Sequence, residues 1–238
     1  MLYRLSYRPD VSRLAAERGR SHRATMGAMA DDFHKPTLFS GREFEALPGA
    51  SVDPALSRRI AHDTAHGLVA RVRDSADPDV LDRVVRVTDE HGLDAVAELW
   101  AMSGPHTLPG ALWRIYLLRT MIRQDPDGVA LLFQRGSEVL RTIDPIVAGA
   151  PSPAGPQEVL EVSDRILRGA FDGDLAHALE RASAFCRVQG AGAASVADDQ
   201  EGAAPERSTE LTTRAARLAT VAEELAVCGR LAREDALE

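Results

Sequence analysis

"LPGALWRIYLLRTMIRQ", Leu108 to Gln124, is the most apolar and aromatic-rich run in the chain, and it carries three arginines. At about 100° per residue, Leu118, Ala111, Ile122, Ile115 and Leu112 form one arc, while Trp113, Leu117 and Met121 fall on the opposite side. A helix that is apolar almost all round must be surrounded by other helices, so this stretch predicts the central helix of an all-α domain. Arg119 and Arg123 fall close together on the same wheel, and their heads must reach solvent or meet carboxylates. Arg119 is expected to pair with Glu98 or Asp94 on the preceding helix.

Working outward, the punctuation is regular. Asp-Pro pairs recur at Asp53-Pro54, Asp77-Pro78 and Asp125-Pro126, and each sets a capping carboxylate before a proline at the first helical position. The first pair opens "PALSRRIAHDTAHGLVARVR", with Ile60, Ala61, Ala65, Leu68, Val69 and Val72 on one face. The second opens "PDVLDRVVRVTDEH", which stops at Gly92, and "LDAVAELWAM" supplies a third helix ending at "SGPHTLPG". Beyond the central helix, further helices are predicted at "DGVALLFQRG", "SEVLRTIDPIV", "GPQEVLEVSDRILRGAF" and "GDLAHALERASAFCRV".

Residues 1–45 show no sustained helical or strand period and form a basic, partly ordered arm, with one short candidate helix from Val11 to Arg18. Between Gln189 and Arg207, "QGAGAASVADDQEGAAPER" has no large apolar anchor except Val196, which predicts a flexible linker over 190–207. After it, 208–238 forms a long C-terminal helix. Leu211, Leu218 and Leu225 repeat at seven, with Arg214, Val221 and Cys228 at the intervening seam positions. Such a helix folds back on the body or mediates self-association. The expected fold is a compact multi-helix bundle, or stacked helical hairpins, with a helical core over 46–189, a flexible N-terminal arm and a linker-tethered C-terminal helix.

Composition limits the function classes. With 45% hydrophobic and 27% charged residues in 238, the chain resembles ordinary globular proteins. Six arginines against Asp10 and Glu17 give residues 1–23 a charge of +4, which leaves −12 on the remainder of a chain whose total is −8. An acidic body disfavours broad phosphate-backbone binding, while Arg4 and Arg8, interleaved with Tyr3 and Tyr7, give the arm a route to nucleic acid. Lys35 is the sole lysine, a usage expected of a GC-rich bacterial genome. Cys186 and Cys228 lie far apart with no CxxC or Cys/His framework, and no leader or membrane-spanning run is evident, so free thiols and a cytoplasmic location are expected.

The sharpest chemical pattern is "HDTAH". His62 and His66 are four apart, one above the other on a helix, the spacing two imidazoles need to reach one metal ion, with Glu90, His91 or Glu98 as further ligands. No general-base glutamate of the HExxH kind accompanies them. His106, in the "MSGPHTLPG" loop, sits where a rigid scaffold presents a binding side chain, and Trp113 and Arg119 are binding candidates on the central helix. "GAGAA" at Gly190 to Ala194 follows a helix rather than a strand, so it does not read as a dinucleotide fingerprint. No nucleophile motif and no cofactor fingerprint is found, and no cofactor is expected. The expectation is a non-enzymatic helical module that binds another protein or itself. The alternatives are a DNA-associated regulator using residues 1–23 and a metal-dependent enzyme centred on His62 and His66.

Overall fold

Asp53 and Asp125 cap their helices as the sequence predicts. Asp53 Oδ1 accepts from the Ala55 N–H at 2.9 Å, Asp125 Oδ1 accepts from the Gly128 N–H at 2.9 Å, and each precedes a proline in the first turn. The structure, a computed structural model, describes residues 53–74 and 99–238. All of these belong to the second of two units into which the chain divides, Met1–Ala50 and Ser51–Glu238. The N-terminal arm with its Val11 to Arg18 helix, the helix predicted after Asp77, and all but the end of "LDAVAELWAM" lie outside the described residues.

The described unit is all-α, with no strand among the described residues. Its helices are α1 (Pro54–Arg73), α2 (Leu108–Gln124), α3 (Pro126–Val139), α4 (Asp144–Ala148), α5 (Pro156–Asp172), α6 (Leu175–Gln200) and α7 (Pro205–Arg233). They pack as a bundle in which α6 touches α3, α4, α5 and α7. α2 lies against α1 and α5 and buries the predicted arc Ala111, Leu112, Ile115, Leu118 and Ile122. On its other side Leu117 is exposed, while Trp113 and Met121 are half-buried. α1 buries Ala61, Ala65, Val69 and Val72 as expected, but Ile60 stands in solvent.

Three expectations need correction. Residues 190–207 are not a linker. α6 runs unbroken through Gly190 and Gly192 to Gln200, a four-residue connection follows, and α7 begins at Pro205. The physical reason lies in close helix approach. A methyl on Gly192 would overlap the Leu132 carbonyl of α3, and a methyl on Gly190 would come into contact with the Ala215 carbonyl of α7 at 3.4 Å. Small residues here let two backbones approach α6, and Gly190, Gly192, Ala193 and Ala197 are buried. Glycine costs about 1 kcal/mol relative to alanine inside a helix, and contacts from both flanks offset that.

The C-terminal helix is accordingly part of the bundle. α7 returns antiparallel along α6, with Ser183 Oγ donating to the Ala222 carbonyl at 2.6 Å and Arg233 Nη2 meeting Glu180 at 2.6 Å. The heptad residues Leu211, Leu218, Leu225 and Cys228 are buried within the chain's own fold, so this seam is not open to a second chain. Finally, "DGVALLFQRG" and the start of "SEVLRTIDPIV" are one helix. α3 continues through Gly136, where a methyl would overlap the Val188 carbonyl, and stops only at Val139. The Asp144-Pro145 pair then opens the five-residue α4.

Candidate functional site

The loop before α2 is pinned from several sides. Thr107 Oγ1 donates to the Gly104 carbonyl at 2.9 Å and accepts from the Gly110 N–H at 3.2 Å, so it caps α2. The Leu108 N–H donates to the Glu238 backbone oxygen at 2.6 Å, and Cys228 Sγ lies 3.2 Å from the Pro105 carbonyl. A methyl on Gly110 would overlap the Gly104 carbonyl, which explains the glycine of "LPG". His106 is exposed in this loop. Trp113 is half-buried and stacks on Tyr116 one turn on, with ring centroids 5.5 Å apart.

Arg119 is only 4% exposed, and its Nε donates to Asp164 Oδ1 of α5 at 3.0 Å. The expectation that this cation meets a carboxylate thus holds with a partner on a different helix; Asp94 and Glu98, the partners expected from sequence, lie outside the described residues. Arg114 is tied to Glu224 of α7 at 2.6 Å. Both arginines serve helix-to-helix contacts.

His62 and His66 do stack along α1, with ring centroids 6.5 Å apart and planes 22° from parallel. His62 is half-buried and His66 is exposed. Among the described residues no group of three or more His, Cys, Asp or Glu side chains comes together in a way that could hold a metal ion. Glu90, His91, Arg4 and Arg8 lie outside the described residues. Both thiols are buried. Burial pushes Cys186 up to about 12 and Cys228 up to about 11, so neither forms a thiolate nucleophile near neutral pH. Among the described residues no helix is long and apolar enough to cross a membrane.

The features that sequence reasoning missed lie around α4. A five-residue helix is too short to hold itself, and side-chain bonds fasten this one. Thr142 Oγ1 donates to Asp144 Oδ2 at 2.7 Å, Arg187 Nε of α6 donates to Asp144 Oδ1 at 2.7 Å, and Arg187 Nη1 donates to Ser183 Oγ at 2.7 Å. Ser183 passes the chain on to the Ala222 carbonyl of α7. Burial raises the Asp144 carboxyl, but the bonds from Arg187 and Thr142 and the guanidinium charge outweigh it, and the group sits below its ordinary value. Ala148 is fully buried beneath the helix.

On the outer side of this anchored turn, Ile143 is 71% and Ile146 79% exposed, with Val139 at the end of α3 also in solvent. The Ile146 N–H donates to the Ile143 carbonyl, so the two side chains are one turn apart. Glu138 and Arg141, both exposed and of opposite charge, precede the two isoleucines in sequence. The sequence signal was two isoleucines three residues apart around an Asp-Pro pair, a pattern that a core helix shows equally.

Gln189 was also missed. It is fully buried between α6 and α3, its Nε2 donates to the Val129 carbonyl at 2.6 Å, and its Oε1 has no hydrogen-bond partner. These features define an all-α bundle with a rigidly held apolar edge. No protein-family model, curated protein or solved structure matches the chain.

Proposed function

We propose that this protein is a non-enzymatic helical interaction module that associates with a second copy of itself through the α4 edge. The observation that carries this reading is the exposure of Ile143 and Ile146 on a turn that Asp144, Arg187 and Ser183 hold rigid. Two large aliphatic side chains held in water by a fixed backbone are a preorganised contact, because their ordering cost is met before association. The opposite charges that precede the pair favour a like partner. In a two-fold contact any pairing is made twice, so a meeting of exposed Arg141 with the partner copy's exposed Glu138, which in its own chain lies 3.7 Å from Arg135, would recur on both sides of the axis.

The association is weak. Covering two isoleucines contributes about 3–6 kcal/mol, against an association cost of about 4–15 kcal/mol, so rim contacts must supply the balance. Light-scattering mass measured over a concentration series tests this. The weight-average mass should rise above the 25.7 kDa monomer as concentration increases, and Ile143→Asp with Ile146→Asp should hold it at the monomer. A constant monomer mass for the unaltered protein, or an unchanged rise in the double variant, refutes self-association. In the first case a heterologous partner becomes the reading to pursue.

A further inference from the structure

Gly149 ends α4 in the left-handed conformation, with φ +74°, and its N–H returns to the Ile146 carbonyl at 3.0 Å. The absent side chain leaves room for two cations. The position a Cβ would take on Gly149 lies 3.2 Å from Arg181 Nη1 of α6 and 3.4 Å from Arg165 Nη1 of α5. Arg165, an exposed side chain, is tethered there by its Nη1, which donates to the Gly149 carbonyl at 3.0 Å. Arg181 is half-buried beside it.

Asp164 and Glu180, the sequence neighbours of the two arginines, and Asp144 of α4 are engaged elsewhere. Asp144 is held by Arg187 and Thr142, Asp164 by Arg119, and Glu180 by Arg233. No ion pair joins Arg165 or Arg181 to a carboxylate among the described residues. Burial lowers the Arg181 pKa and the neighbouring Arg165 charge lowers it further, yet an arginine remains charged at neutral pH. Two like-charged forks, that of Arg165 tethered to Gly149, therefore stand side by side with most of their donors unspent.

We infer that Arg165 and Arg181, gathered at Gly149, form a binding site for a phosphate group, either inorganic phosphate or the terminal group of a phosphate monoester. A tetrahedral oxyanion offers oxygens in several directions, so one anion can accept from both guanidinium forks and neutralise their mutual repulsion. The two arginines stand on α5 and α6, so an anion seated between them links those two helices beside the end of α4. The inference is independent of the self-association proposed above, since neither arginine belongs to the Ile143 and Ile146 edge.

Calorimetric titration with inorganic phosphate, at constant ionic strength against chloride, tests the site. Saturable binding of one phosphate per chain is expected, at least tenfold weaker in Arg165→Gln and in Arg181→Gln. Arg217→Gln, a change at an exposed arginine of α7, should leave binding as it was. Circular dichroism checks that each variant is folded, and the Arg165 variant guards against a folding defect peculiar to half-buried Arg181. Repeating the titration with glycerol phosphate separates the sources: tighter binding than inorganic phosphate assigns the site to a monoester, and the reverse order assigns it to the free ion. Absence of saturable binding to the unaltered protein, or equal weakening in all three variants, overturns the site.

Discussion

α2 and the second half of α6 both lie in the interior, yet their sequences share almost nothing. α2 fills its surroundings with Leu112, Ile115, Leu118 and Ile122, whereas α6 from Gly190 onward buries Gly190, Gly192, Ala193 and Ala197. In the first region side chains span the gap between helices. In the second the gap itself is closed, with α3 so near that Gly192 has no room for a methyl beside the Leu132 carbonyl. Burial is therefore reached by volume in one place and by proximity in the other, and only the first leaves an apolar signature in sequence.

Substitutions that change volume should separate the two regions. The largest effect is expected in α2: Ile115→Ala removes a buried branch and leaves a cavity, a cost of about 4 kcal/mol readable in denaturant unfolding. A cavity cost near zero would mean that α2 is not tightly enclosed. Next comes Gly192→Ala, which forces α6 and α3 apart and should cost about 3 kcal/mol. Its control is Gly67→Ala on the exposed face of α1, where a methyl meets nothing within 4 Å and should gain about 1 kcal/mol from helix propensity alone. The same chemical change thus has opposite signs at the two glycines. A gain at Gly192 would leave the close approach without support.

The same contrast explains how much was legible. The helical class, the Asp53 and Asp125 caps, the buried arc of α2 and the region of α5 follow from local rules, because capping and periodicity are properties of adjacent residues. The linker was misread for a local reason too. Glycine is a poor helix former and "QGAGAA" has no large anchor, so nothing within that stretch announces that α3 and α7 flank it. Gly136 misled in the same way, as a helix end that is in fact a crossing point.

The candidate sites were less legible. His62 and His66 stack as their spacing predicts, but spacing along one helix cannot supply ligands from another. Arg119 found Asp164 on α5, a contact set by how helices pack. The exposure of Ile143 and Ile146 is invisible in sequence, since whether an isoleucine is core or edge depends on neighbours distant along the chain. Arg165 and Arg181 likewise meet only because Gly149 lets them.

The Gly/Ala-rich stretch over residues 190–200 is a buried part of α6, not a loop. Amide hydrogen exchange across residues 189–200, read beside α2 in one experiment, tests this most directly. Gly190, Gly192, Ala193 and Ala197 are expected to exchange as slowly as Ile115 and Ile122. Exchange of those four amides at the rate of an open loop, with α2 still protected, would contradict it.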